Sequence, residues 1–211
     1  MSKRPPAIFI GDAVGLDFLN SIATPIDTPV DWIGDGEGLL SWLEQAQLVP
    51  ADELKIIRAK ALPGELDKVA DQARNLREWF KGFVQPRKGR PLMAKDFGAL
   101  EPLNRLLERD EAFSRIGLHK DGQVPFELQS MRRWRSPETL LLPIGEALAR
   151  FVCTEDFSDV KACEGLACTL LFVDLTRGRA RRWCSMAICG NRAKQAAHRH
   201  RLKSGQSTAT P

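Results

Sequence analysis

The chain has 211 residues, of which 43% are hydrophobic and 27% charged, a composition typical of one globular core with a small appendage. No apolar run is long enough for a membrane-spanning helix, so the sequence predicts no membrane association and a cytoplasmic location. The net charge of +4 is unevenly distributed, because residues 175–211 contain nine Lys and Arg and no Asp or Glu. This asymmetry favours a polyanion as the partner of the C-terminal segment.

The first part of the chain predicts short helices joined by loops. The segment from residue 5 begins extended, turns at Gly11-Asp12 and forms a short helix over Leu16–Ser21. Residues 23–38 are rich in Pro and Gly and are predicted to be a loop. Two helices follow, over Gly38–Gln47 and from Pro50 onward.

The middle of the chain predicts further helices and one β-hairpin. The longest helix runs from Pro63 to about Val84, because its apolar residues recur with a helical period. Residues 85–91 form a basic, solvated turn, and a helix covers residues 96–109. Two β-tending runs, 113–119 and 124–132, are separated by an Asp-Gly turn and predict a hairpin.

A last helix of the body is predicted from Ser136 to about Cys153. Pro143 lies inside it and is expected to kink it. Cys153 is the fifth cysteine of the chain and is predicted to be a small buried hydrophobic residue.

Three polar residues of this region are candidate ligand-binding residues. Asp17 and Asn20 are three residues apart on one helical face, and Arg77 lies beside the apolar face of the longest helix. They could form a polar corner of a small-molecule pocket. The alternative is that Asp17 and Asn20 cap a helix or satisfy buried backbone groups, and that Arg77 belongs to a solvated ion pair.

Four cysteines near the C-terminus form two identical pairs. Four residues separate Cys163 from Cys168 and Cys184 from Cys189, and fifteen residues separate the pairs. Two such pairs on a short connector can supply four thiolates to a tetrahedral zinc ion. Disulfides or unrelated buried cysteines are the alternatives. Four cysteine ligands fill the coordination shell, so the zinc ion is predicted to be structural and no enzyme activity is expected.

The residues around these cysteines predict a hairpin followed by a helix. The run Leu170–Asp174 is suited to one strand, and Gly178 can turn the chain back through residues 181–183 to the second pair. Gly190-Asn191 offers a turn and an N-cap, and a helix is expected from Arg192 to about Lys203.

The run RRWCSMAICGNRAKQAAHRHR at residues 181–201 resembles the CGNR zinc finger, which is named for its Cys-Gly-Asn-Arg sequence. The upstream cysteine pair and the strand Phe172-Val173-Asp174 also match the family pattern. This family is taken to be the DNA-binding end of bacterial transcription regulators, so the resemblance implies DNA binding.

The N-terminal part resembles the usual partner of these fingers. Gly11-Asp12 and Leu16–Asn20 are similar to the opening of the ABATE domain, which often has His at the position of Asp12. This resemblance covers roughly residues 7–150. It implies that the N-terminal part accompanies the DNA-binding finger in a regulator.

Six cations of the C-terminal segment are predicted to contact DNA, mostly through phosphates. They are Arg181, Arg182, Arg192, Lys194, Arg199 and Arg201. The alternative function is a metabolite-binding module whose finger is a structural or protein-docking cap. A small-molecule effector and a homodimer are compatible with either function, and a dimer would add specificity to a single finger.

The sequence therefore predicts a mainly α protein of the α+β class in two parts. A helical body with a β-hairpin covers residues 1–155, and a zinc-binding hairpin and helix, the metal module, covers residues 156–204. Residues 205–211 are expected to form a disordered tail.

Overall fold

Seven α-helices and three two-stranded antiparallel sheets make up the part of the chain that the computed structural model describes, namely residues 4–24, 28–119 and 125–206. The helices are α1 (Val14–Leu19), α2 (Gly36–Gln45), α3 (Ala51–Lys60), α4 (Glu65–Val84), α5 (Glu101–Leu107), α6 (Leu141–Thr154) and α7 (Asn191–Gln206). The strands are β1 (Ile22–Ala23), β2 (Val30–Asp31), β3 (Ala112–Leu118), β4 (Phe126–Arg132), β5 (Val160–Ala162) and β6 (Leu171–Val173). This mainly α architecture with small hairpins confirms the predicted fold class.

The core of the body lies between α1, α2, α4 and α6. Its centre is a group of phenylalanine rings, in which Phe80 meets Phe151 edge-on at 6.1 Å and Phe151 contacts Phe157 at 4.9 Å. These rings are at most 2% exposed. Each stabilises the fold by about 1.5–3 kcal/mol through burial, so they join α4 and α6 to the segment that leads into the metal module.

Strand β6 connects the metal module to this core. One edge of β6 pairs with β5, in the register Val160 to Val173. The body occupies the other edge, where Asn20 donates to the carbonyl of Leu171 at 2.8 Å and accepts from its N–H at 2.9 Å. The N–H of Val173 donates to Gly11 at 2.9 Å. The apolar core is therefore continuous from the body into the module.

Several element boundaries differ from the sequence prediction. The loop at residues 23–38 contains the short β1–β2 hairpin and the start of α2. The helix predicted over 96–109 is a 3₁₀ helix over Ala94–Leu100 followed by α5. Pro143 causes no kink inside a helix, because it lies in the first turn of α6, where its missing N–H has no partner to lose.

Two expectations about individual residues are wrong. Cys153 is exposed near the end of α6 rather than buried. The basic turn at residues 85–91 is not simply solvated, because Arg87 and Arg90 both bond to the buried carboxylate of Asp96, at 3.0 and 3.2 Å. These hydrogen bonds, led by that from Arg90, hold the pKa of Asp96 well below its usual range.

The C-terminal helix is longer than predicted. It extends to Gln206 and so includes the first two residues of the expected disordered tail, while residues 207–211 lie outside the described part. The Asp-Gly turn predicted between β3 and β4 also lies outside it. No helix in the described part is both long and apolar enough to cross a membrane.

Candidate metal centre

The four paired cysteines come together in the metal module. Their sulfur atoms all lie within 4.8 Å of one another. The Sγ atoms of Cys168 and Cys184 are 3.9 Å apart, and those of Cys184 and Cys189 are 3.6 Å apart. A tetrahedral zinc ion with Zn–S bonds of about 2.3 Å separates its sulfur ligands by about 3.8 Å. The cluster therefore fits a four-thiolate zinc ion.

The turn between Cys163 and Cys168 holds the first pair of sulfurs. The N–H groups of Gly165 and Cys184 donate to the Sγ of Cys163, at 3.4 and 3.2 Å. A Cβ atom at Gly165 would lie 2.9 Å from the Sγ of Cys189, so this position has no room for a side chain. These hydrogen bonds and the lack of a side chain at Gly165 hold the turn closely against the sulfur cluster.

The turn at the second pair differs from the prediction. Ser185, not Asn191, is the capping residue, and its Oγ accepts from the N–H of Ile188 at 3.4 Å. Residues Met186–Gly190 form one π-helical turn that carries Cys189, and Asn191 already has helical geometry as the first residue of α7. A ligand cysteine is thus joined directly to the C-terminal helix.

The hairpin of the module is also built differently. The predicted return strand at residues 181–183 does not pair with β6, whose partner is β5. The first cysteine pair lies in the connection between these two strands. The return chain is held by Asp174 instead, which accepts from the Lys161 ammonium at 2.6 Å and from the N–H of Arg181 at 2.9 Å. Burial opposes ionisation of Asp174, but these donors hold its pKa well below the usual range.

The pKa values of three of these thiols are shifted in different directions. A hydrogen bond from Cys184 lowers the pKa of Cys168 to about 5, whereas burial raises the pKa of Cys189 to about 12. The pKa of Cys184 is raised by its hydrogen bond to Cys168 and by burial. Four thiolates so close together repel one another, and a divalent cation compensates this repulsion.

Two protein families match the chain in the regions just described. Residues 12–155 match ABATE, described as "Putative stress-induced transcription regulator". The chain belongs to the ABATE family. Residues 160–202 match the CGNR zinc finger. No curated protein matches the chain.

The finger family and the thiol cluster agree on the cofactor. A CGNR zinc finger with four convergent cysteines contains a structural zinc ion. Both matched families are of regulator or zinc-finger type, and neither is an enzyme family.

Two of the six cations predicted to contact DNA form ion pairs with acids of this chain. The guanidinium of Arg181 bonds to the carboxylate of Asp12 and to the carbonyl of Ile10, and it stacks over Phe172 at 4.2 Å. Arg181 therefore fastens the finger to the body. Arg182 forms an exposed ion pair with Glu164 at 2.6 Å.

The other four cations belong to α7. Arg192, Lys194 and Arg199 are exposed, and Arg192 also lies beside a cleft against the body. The backbone of Arg201 is helical, but its side chain lies outside the described part. These cations follow the zinc-bearing turn directly.

Each of the three candidate ligand-binding residues of the body is buried, and Asn20 lines a cleft of about 410 Å³. Asp17 accepts from the N–H groups of Ile10 and Gly11 at 2.9 and 2.8 Å, and Asn20 binds the backbone of β6. Arg77 is 2% exposed and forms a bidentate pair with Asp31 at 2.8–2.9 Å. These contacts favour the alternative for Asp17 and Asn20, satisfaction of buried backbone groups, while a role in ligand binding stays a prediction. The ion pair of Arg77 is buried rather than solvated, contrary to the alternative given for that residue.

Sequence reasoning missed the residues that attach the finger. Asn20 was assigned to a ligand, and Asp12 received no role, although its carboxylate pairs with Arg181 across 169 positions of sequence. Only Ser185 offered a local signal, since Ser is a favoured cap and lies three residues before the N–H that it accepts.

We expect Cys184→Ser to remove the zinc ion, because Cys184 is 1% exposed and its sulfur lies within 4 Å of two others. The zinc-to-protein ratio measured by atomic emission should fall from about one to near zero. The thermal midpoint of the whole protein should fall as well, since the finger and the body share one core. Cys153→Ser, an exposed cysteine outside the cluster, is the control and should retain the metal. Full zinc occupancy in Cys184→Ser would refute this assignment.

We expect Asp17→Asn to change how stability depends on pH. Burial raises the pKa of Asp17 from 3.8 to about 6, so the folded state binds a proton that the unfolded state has already released. The contribution of Asp17 to the unfolding free energy of the wild type therefore falls as the pH rises from 3.8 through about 6. The unfolding free energy of Asp17→Asn relative to wild type should rise by about 1.4 kcal/mol between about pH 5 and about pH 8.

Urea unfolding at about pH 5 and about pH 8 measures this difference. Both values avoid the more acidic range in which thiolate ligands of zinc protonate. Asp52→Asn, at an exposed position of α3, is the matched control. A difference that is the same at both pH values would contradict the buried-carboxyl assignment.

Proposed function

We propose that the chain is a transcription regulator that binds DNA through α7 of its zinc finger. The observation that carries this proposal is the concentration of positive charge in α7. Nine cations lie in residues 175–211, and the ion pairs of the described part include Arg179 with Asp159, Arg181 with Asp12 and Arg182 with Glu164. Five of the nine belong to α7, which contains no acidic residue.

The position of this helix suits a nucleic acid. Helix α7 begins two residues after the ligand Cys189, so zinc coordination fixes its first turn. The described side chains of α7 beyond its first three residues, up to Arg199, are exposed. A single α-helix fits the major groove of B-DNA, where arginine and lysine contact phosphates and guanine edges. Lys194 and Arg199 are the leading contacts in this proposal, supported by Arg192 and Arg201.

Arg182 is a secondary DNA contact in this proposal. Its ion pair with Glu164 is exposed, and such pairs contribute only about 0–1 kcal/mol. A phosphate could therefore replace Glu164 as its partner. Arg181 is left out of the proposed DNA surface because its guanidinium is bound within the protein.

The double variant Lys194→Glu, Arg199→Glu is expected to weaken binding to duplex DNA at least about tenfold and to reduce the slope of log affinity against log salt by about 2. Fluorescence anisotropy over a salt series measures both quantities. The control is Lys60→Glu, Lys95→Glu, which makes the same charge change at exposed positions of the body.

Genomic fragments selected by the zinc-loaded protein are expected to share a sequence. Affinity that does not change with salt, or an equal loss in both double variants, would rule out α7 as the DNA surface.

A second function, binding of a small-molecule effector, is favoured by the cleft between α7 and the body. Its volume is about 730 Å³, within the usual range for ligand pockets. The body contributes apolar groups such as Ile8, Val30 and Trp32, and the finger contributes Ile188 and the amide of Gln195. A molecule bound there would touch both parts, and so could couple its binding to the position of α7.

A metabolite that binds in this cleft and raises the thermal midpoint of the wild type should not raise the thermal midpoint of Val30→Trp, because the indole would fill the cleft. Ile56→Trp, at an exposed position of α3, controls for the added bulk. A metabolite that stabilises Val30→Trp equally would place its site elsewhere.

A further inference from the structure

The β3–β4 hairpin has two faces of different character. Residues pair across it in the register Ile116 to Leu128 and Leu118 to Phe126, and all four side chains point to the same face. The opposite face at this end of the hairpin carries Arg115, Glu127 and Gln129. We call the four apolar residues the hairpin patch. Such alternation is typical of a sheet that buries one of its faces.

The hairpin patch is exposed in the isolated chain. Ile116, Leu118, Phe126 and Leu128 are 71, 72, 60 and 75% exposed. Four large side chains exposed to this extent form an apolar surface on the order of 500 Å², which is the size of patch that often marks an interaction site. A two-stranded hairpin is also marginally stable by itself in water, so covering the patch would stabilise it.

The charges on this face indicate what can cover it. Ser114 and Ser130 are the next pair along the same face. The first charge within the two strands on this face is Arg132, which is 11% exposed and paired with Asp110 at 2.6 Å and Glu146 at 2.9 Å. The patch therefore presents no net charge that would attract a nucleic acid or an anionic membrane, and none that would repel an identical surface.

We propose that the hairpin patch is the interface of a homodimer, in which it packs against the same patch of a second copy. A two-fold axis places Ile116 and Leu128 of one copy against the equivalent pair of the other, which gives a self-complementary contact. Two patches together would bury on the order of 1,000 Å², the lower limit for a specific interface. The dimer is accordingly reversible, with a dissociation constant in the micromolar range. This inference does not depend on DNA binding.

Sedimentation equilibrium of the zinc-loaded full chain, up to high micromolar concentration, tests the proposal. The wild type should fit a monomer–dimer equilibrium, and Leu128→Glu should be monomeric because it would bury a carboxylate against the partner's patch. Leu62→Glu is the matched control, since Leu62 is 71% exposed outside the hairpin, and it should dimerise like the wild type.

A second variant, Ile116→Ser, removes apolar surface without adding charge and should weaken dimerisation at least about tenfold. Zinc content and far-UV circular dichroism should be unchanged in both patch variants, which separates loss of the interface from loss of the fold. A wild type that is monomeric at every concentration overturns the proposal. So does a dimer that persists in Leu128→Glu, or a monomer that instead binds neutral lipid vesicles through the patch.

Discussion

The structure depends on one short strand, β6, whose two edges are both hydrogen-bonded. On one edge it pairs with β5, and on the other it bonds to Asn20 and Gly11 of the body. Gly11 and Asn20 are buried, so breaking their bonds to β6 would leave a donor or acceptor without water, at a cost of about 1–3 kcal/mol per group. The finger is therefore built into the core of the body rather than attached by a linker.

This arrangement determines how the positive charge of the C-terminal segment is used. Two cations that precede the second cysteine pair have structural partners. Arg181 attaches the finger to the body by binding Asp12 while covering Phe172, and Arg179 binds Asp159 within the metal module. The cations after that pair lie on α7, where no acid follows them. Within this basic segment, cations before the zinc-bearing turn bind acids of the protein, and the cations after it lie on α7.

The sequence predicted the features that depend on neighbours along the chain. Helices α2, α3 and α4 follow from apolar periods and first-turn residues, and the zinc cluster follows from cysteine spacing. It did not predict that β6 would pair with β5, that Asn20 would bind Leu171, or that Arg181 would bind Asp12. These contacts join residues as far apart as 169 positions, and no local pattern specifies such a partner. The prediction that Cys153 is buried was wrong for a related reason, because the apolar period of α6 does not reveal where that helix leaves the core.

Because the body, the metal and the basic helix meet within a few residues, their equilibria are coupled. Zinc draws together Cys163, which follows β5, and Cys189, which lies two residues before α7. An ion that fixes those two positions favours both the pairing of β6 and the orientation of α7. Anything that binds only this ordered form, whether DNA on α7 or a molecule in the cleft beside it, must also favour retention of the metal, since linkage between binding sites is reciprocal. A zinc ion without any catalytic role can in this way control whether the basic surface exists.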